Sequence, residues 1–252
     1  MTDSLRALVS NLIDYAGLYP PAALPLDQVL DHYRSYRESA DRWMLNRLVL
    51  PAAKLSETPV EDGWRISLLA DSDPGSLPPQ VETIETKQSS RTPLPTYAEV
   101  PLDRIDGTFV KLRTGGVTPE AIPCSRQIAE FLHTAAARRI PFKATAGLHH
   151  PISAEYPLTY EPDAPRAVMH GFVNVFAAAC FAWTGAPGFM LEEILDERDA
   201  RAFEFSDREM LWRGRPVITG LIRAARLEFA HSFGSCSFEE PVAGLRELGL
   251  LP

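Results

Sequence analysis

Short, β-rich apolar runs recur along this chain, each closed by a proline, a glycine or a polar cluster, with helical patterns between them. The runs are LIDYAG, RLVLPA, RISLLAD, VETIETK, TYAEVP, FVKLRT, PFKATAG and RAFEFSD. Strands that read as nearly continuous apolar runs suit a parallel sheet covered on both faces, since neither face then meets water. Helical patterns over residues 27–38, 119–138, 165–183 and 216–230 supply the cover. Such a set of strands in 252 residues matches the usual size of a (β/α)8 barrel, about 250 residues. The chain is therefore read as one α/β, TIM-like barrel domain over residues 1–252. The gaps at 70–81 and 100–108 are too short for a crossover helix, which predicts a barrel abbreviated on that side.

Composition removes several alternatives. A formal net charge of -8, with no Lys/Arg run, leaves nothing to neutralise nucleic-acid phosphates. The longest apolar run, GFVNVFAAACFAW, is shorter than the roughly 20 residues of a bilayer crossing and reads as a buried core helix. The N-terminus lacks the basic, apolar, small-residue order of a secretory signal. Cys124, Cys180 and Cys236 are widely spaced and odd in number, which fits reduced thiols in the cytoplasm better than a disulfide framework or a CxxC metal pair. No cofactor and no metal is called for, and a homo-oligomer is left open.

Side chains alternate across a strand, so Phe109, Lys111 and Arg113 of FVKLRT share one face and Val110 and Leu112 the other. With the Val/Leu face on the outer helices, the cations look into the barrel near its C-terminal mouth, where barrel enzymes keep their chemistry. The same alternation pairs Lys143 with Thr145, Tyr97 with Glu99, and Glu85 with Lys87. Four consecutive strands thus end in ionisable groups. The competing reading is a set of rim salt bridges with snorkelling lysines. It is preferred for Glu85 and Lys87, which adjoin the polar QSSRT loop. Lys111 and Lys143 are read as functional, because small residues and glycine follow both and let a ligand approach the backbone.

The stretches FVKLRTGGVTPEAI and IPFKATAGLHH resemble the paired strand motifs of class I aldolases of the deoxyribose-phosphate aldolase type, over residues 107–150. That family is a (β/α)8 barrel in which one lysine forms a Schiff base with a carbonyl substrate and a second lowers its pKa. The resemblance implies Lys111 as nucleophile and Lys143 as its neighbour, with Thr114, Gly115, Gly116, Thr145, Gly147 and His149 around the substrate. Arg113 stands where the family has a small residue and would hold a carboxylate or phosphate. The family's acidic motif on an early strand has no clear counterpart, so Glu85, Glu99 or Asp14 would move the proton. SFGSCSF loosely resembles the family's last-strand phosphate loop. The combination IDYAGLYPPA, KLRTGG, FKATAGLHHP and FGSCSFEEP also resembles a group of bacterial proteins from which no activity is carried over.

Other constellations are weaker. Of His149 and His150 only one can enter the mouth, as an acid or base or as a loop cap. His170 and Asn174 share a helix face and read as core. Ser237 and Glu240 have capping-box spacing. Cys236 has no partner base visible in the sequence and reads as structural. The segment LDERDARAFEFSDREMLWRGR reads as a solvated surface around one strand and a turn. The leading expectation is a Schiff-base, aldolase-like lyase acting on a small anionic carbonyl compound through Lys111, Lys143, Glu99 and Asp14. Two others stand beside it: a barrel isomerase or decarboxylase-like enzyme without covalent lysine chemistry, and a non-catalytic anion- or partner-binding barrel.

Overall fold

The computed structural model describes residues 1–87 and 92–251, so most of the QSSRT loop lies outside the described residues. Seven parallel strands come first: β1 (Ile13–Tyr15), β2 (Leu45–Pro51), β3 (Ile66–Leu69), β4 (Val81–Thr86), β5 (Thr96–Glu99), β6 (Val110–Arg113) and β7 (Phe142–Thr145). A hairpin, β8 (Ala154–Pro157) with β9 (Arg166–Met169), and a three-stranded antiparallel sheet, β10 (Phe203–Phe205), β11 (Glu209–Trp212) and β12 (Arg215–Ile218), lie outside the barrel. β13 (Ala230–Ser235) then closes it between β7 and β1, giving the eight-stranded (β/α)8-type barrel expected.

The helices are α1 (Asp3–Val9), α2 (Leu26–Glu38), α3 (Ala52–Leu55), α4 (Ser125–Ala137), α5 (Phe172–Trp183), α6 (Gly188–Asp196), α7 (Thr219–Glu228) and α8 (Glu239–Glu247). Among the described residues none is long and apolar enough to cross a membrane. Among the described residues none lies between β3 and β6 either, as the short gaps predicted. Cover is concentrated on the opposite side. There α5, apolar all round, is buried from Phe172 to Ala182, with α4 and α6 packed outside it. Phe172 and Phe176 meet Phe233 of β13, and Phe176 stacks on Phe142 of β7. The one amide on this helix, Asn174, is fully engaged: its oxygen accepts from Ser153 N–H and its nitrogen donates to the Ile194 and Glu197 carbonyls.

Three expectations need correction. RAFEFSD is not a barrel strand; its aromatics feed the small antiparallel sheet, and the eighth strand is AHSFGS, whose glycine and hydroxyls disguise it. Residues 165–183 and 216–230 each begin as a strand before turning helical. The segment 195–215 is not merely solvated surface: Trp212 is 1% exposed, and buried Glu197 accepts from its Nε1 at 3.2 Å and from Arg213 Nε at 2.6 Å.

Where β6 and β7 end, the chain backbones come together through two glycines. A Cβ on Gly147, whose φ is +77°, would lie 2.9 Å from the Gly115 Cα. Ala146 just before it is also left-handed, at φ 64°. The glycines read from the sequence as openings for a ligand thus let two backbones touch. Gly75 offers a comparison, with φ +70° and open space around it. Replacing either by Ala is expected to cost about 1–2 kcal/mol for the left-handed backbone. Gly147→Ala should lose a further ~1–3 kcal/mol to overpacking. Urea unfolding of both variants tests this, and equal losses would contradict the close-contact role.

Candidate active site

The barrel axis holds charge where a barrel of this size is ordinarily filled by branched apolar side chains. Lys143 on β7 is 1% exposed and places its Nζ 2.6 Å from Asp14 Oδ2 on β1 and 2.5 Å from Glu85 Oε1 on β4. β1, β4 and β7 are not neighbours, so these contacts run through the interior. The carboxylates have further donors. Asn46 Nδ2 and Arg47 N–H give to Asp14 Oδ1, Ser232 Oγ gives to Asp14 Oδ2, and Ser67 Oγ gives to Glu85 Oε1 while receiving from Thr83.

Burial by itself pushes each of these groups toward its neutral form. Here the neighbours win. Burial raises the Asp14 carboxyl, but Lys143 and then Arg47 outweigh it and hold it below the carboxylate range. Glu85 is likewise lowered, by Lys143 and Lys111 against burial. Lys143 is raised against burial by Asp14 and Glu85. It is a fixed cation.

Lys111, 5% exposed and beside Lys143 in the β6–β7 register, sits differently. Its Nζ is 3.4 Å from Glu85 Oε2 and 3.4 Å from Glu99 Oε2, looser contacts than those of Lys143. Glu99 also takes Arg113 Nε at 2.8 Å, and although half-buried it is held below the usual carboxylate range by Arg113 and Lys111. Glu85 therefore joins the two lysines. The rim salt bridge expected for Glu85 and Lys87 is not formed: Glu85 is 3% exposed inside the barrel, whereas Lys87 is exposed and gives its backbone N–H to Asp71.

A cavity of about 380 Å³ opens above this network at the C-terminal ends of the strands, a fit for a small molecule. Glu85, Glu99, Lys111, Arg113, Gly116, Thr145 and His149 line it, together with Tyr19, Lys87 and Cys236. Asp14 and Lys143 do not line it and form the buried layer that carries Glu85. Thr114, Gly115 and Gly147, expected around the substrate, stand outside the lining. Thr114 Oγ1 donates to the Thr145 and Ala146 carbonyls, and the glycines serve the backbone contact described above.

Two lining residues are additions to the expected site: Tyr19, not singled out in the sequence, and Cys236, read there as structural. The Tyr19 hydroxyl is buried and has no hydrogen-bond partner among the described residues. A buried hydroxyl left unpaired is costly, so it is available to an oxygen of a bound molecule. Cys236 has the partner base that the sequence hid, His149, whose Nδ1 lies 3.9 Å from Sγ and 3.0 Å from Glu240 Oε2. His150 turns away and stacks on Tyr156 at 3.6 Å between ring centroids. The capping interaction is present, with Glu240 N–H donating to Ser237 Oγ at 3.1 Å. His170 Nε2 is bonded to the Pro123 carbonyl oxygen, and its buried Nδ1 has no partner among the described residues.

Compared with protein-family models, curated proteins and solved structures, the chain matches none.

Removing the fixed cation tests the buried network. Asp14 and Glu85 have depressed folded pKa values, so their contribution is complete above their ordinary values of 3.8 and 4.5 and is lost as pH falls through the depressed ones. Lys143 has a raised one, so its contribution is complete below 10.5 and is lost as pH rises through the raised value. At neutral pH, Lys143→Met leaves two buried carboxylates without their cation, and a loss of roughly 3–5 kcal/mol is expected. Those carboxyls then protonate readily, so the variant should gain on the native protein between about pH 7 and about pH 5. A stability gap that stays constant across that range in urea titrations would contradict the assignment.

Proposed function

We propose that this protein is a Schiff-base lyase of the class I aldolase kind, acting on a small anionic carbonyl compound in the cavity at the C-terminal mouth of the barrel. One observation carries the reading: two lysines stand side by side in register, one fixed as a cation by two carboxylates and the other lining a cavity with acid/base groups against it.

The chemistry assigns each group a place. A lysine must shed its proton before it attacks a carbonyl. Glu99 and Glu85, both within 3.4 Å of Lys111 Nζ, are the acceptors. The free amine then adds to the carbonyl carbon, the carbonyl oxygen takes a proton, and loss of water gives the protonated imine. This imine draws electrons from the adjacent carbon–carbon bond as it cleaves, and the proton on the departing hydroxyl passes to Glu99. Tyr19 is placed to bond the substrate oxygen, and Arg113 at the rim offers a fork to an anionic end. Lys143 and Asp14 act one layer below by keeping Glu85 ionised and oriented. The charge of Lys143 is offset by Asp14 and Glu85, so it differs from the bare second cation that the family resemblance implied.

Intact-mass measurement after incubation with pyruvate, acetaldehyde or dihydroxyacetone phosphate and cyanoborohydride tests this. One covalent adduct per chain is expected with at least one of these carbonyls, absent in Lys111→Ala and retained in a variant of an exposed lysine, Lys54→Ala. Adducts no greater than in Lys111→Ala with all three would remove the covalent reading. Thermal stabilisation by the same anions, lost in Arg113→Ala, would then identify a non-covalent anion site.

A further inference from the structure

The three cysteines have three surroundings, and only one of them is built for reaction. Cys124 is exposed at the start of α4. Cys180 is buried in α5, where burial pushes its thiol up to about 12. Cys236, just past β13, is shielded from bulk solvent yet lines the Lys111 cavity.

Four separate segments converge on it. His149 comes from the chain after β7, with Nδ1 3.9 Å from Sγ. Tyr160, in the turn between β8 and β9, sets its hydroxyl 3.5 Å from Sγ. Glu240 in the first turn of α8 binds His149 at 3.0 Å, and the backbone of Ala22 comes close enough to the sulfur to favour its charged form. Tyr15 is a further titratable group close enough to interact with Cys236 electrostatically. Burial pulls His149 down, but hydrogen bonds to Cys236 and Glu240 carry it up to about 9. Burial raises the Cys236 thiol, but His149 and Tyr160 bring it below its ordinary value.

We propose that Cys236, set beside His149 in the wall of this cavity, is a second nucleophile of the protein, one that takes small α,β-unsaturated carbonyl compounds. A thiolate beside an imidazolium carries both halves of such an addition. The sulfur lone pair forms a bond to the β-carbon, and the carbon–carbon π pair moves to the α-carbon. That carbon takes the imidazolium proton, leaving a thioether and a neutral imidazole. No oxidant or leaving group is needed. The cavity volume suits a molecule of this size, and Tyr19 and Lys111 in the same lining are groups that engage a carbonyl. The proposal stands on the Cys236 cluster alone and does not require Schiff-base formation at Lys111.

Competitive labelling of the whole protein decides it, with Cys124 and Cys180 as internal references. The protein is treated with limiting but-2-enal, and separately with iodoacetamide, between about pH 6 and about pH 8.5, reduced with borohydride, and mapped by peptide mass. At about pH 6.5, Cys236 should be modified roughly tenfold faster than the more exposed Cys124, with a rate nearly flat in pH where that of Cys124 climbs. His149→Gln should lower the Cys236 rate at about pH 6.5 by roughly tenfold and leave Cys124 unchanged. Iodoacetamide carries no aldehyde or ketone for Lys111 to engage, so preferential labelling of Cys236 by this reagent is read apart from the fate of the Schiff-base reading. Faster labelling of Cys124 in the native protein, or a Cys236 rate that climbs in parallel with it, would overturn the proposal even if His149→Gln fails to fold.

Discussion

The ammonium of Lys143, held between Asp14 and Glu85 inside the barrel, is the interaction on which the rest of the structure depends. It ties β7 to β1 and to β4 through space that hydrogen bonds of the sheet do not cross. Such a group is tolerated only when the geometry is good and the remaining lone pairs are satisfied. Asn46, Ser67, Thr83 and Ser232 do this, each from an inward position on its strand. A charged layer displaces apolar packing from the centre of the barrel, so the apolar core lies mainly outside, between the strands and α4, α5 and α7. The barrel is thereby stabilised from its outer face and functionalised from within. This division leaves the upper ends of the strands free to carry a cavity.

Uneven helical cover follows from chain lengths. Between β3 and β6 the described connections are short and rich in proline, and no helix fits. Across the barrel the opposite holds: the chain between β7 and β13 contributes a hairpin, α5, α6, a small sheet and α7. That long insertion has a direct consequence for the site. Tyr160 reaches Cys236 from the β8–β9 hairpin, and the Pro151 carbonyl at its base receives the Val173 N–H that starts α5. The insertion therefore braces Cys236 from behind, while the cavity lining itself comes from strand ends and the loops just beyond them.

Much of this arrangement was legible in the sequence because alternation along a strand is a local property. Lys111, Lys143 and Glu99 face inward as period two requires, and the cavity lies at their C-terminal ends. What was missed depends on partners distant along the chain. Glu85 has Lys87 two residues away, and that local pairing was enough to explain it; its actual partners are 26 and 58 residues downstream and lie across the barrel interior. His149 and Cys236 are separated by 87 residues, so neither announces the other. Alternation favours RAFEFSD, which belongs to a peripheral sheet, over AHSFGS, whose histidine, serines and glycine hide a strand that only the resemblance of SFGSCSF to a last-strand loop points to. Glycine was read too narrowly, since Gly115 and Gly147 serve the approach of backbone to backbone rather than of ligand to backbone.

The cavity brings together groups of opposed chemical character, and their placement follows from the two layers beneath. An amine must lose a proton to act, so Lys111 stands where Glu85 and Glu99 can take one. A thiol must also lose its proton, but the thiolate is a soft anion that persists beside a cation, so Cys236 stands against His149 with Glu240 behind it. The first arrangement uses carboxylates to take a proton from an ammonium and the second uses a carboxylate to sustain an imidazolium. Separate strands deliver them, β6 for Lys111, with His149 and Cys236 carried just beyond the adjacent β7 and β13. Each pair is oriented by its own hydrogen bonds, so either nucleophile is formed without displacing the other. Tyr19, whose buried hydroxyl has no partner among the described residues, lines the same cavity and can bond an oxygen presented to either one. Under the two proposals, a carbonyl compound entering the mouth would meet an amine, a thiol and a hydroxyl in one enclosure, and the position of its electrophilic carbon would decide which of the nitrogen and sulfur centres it engages.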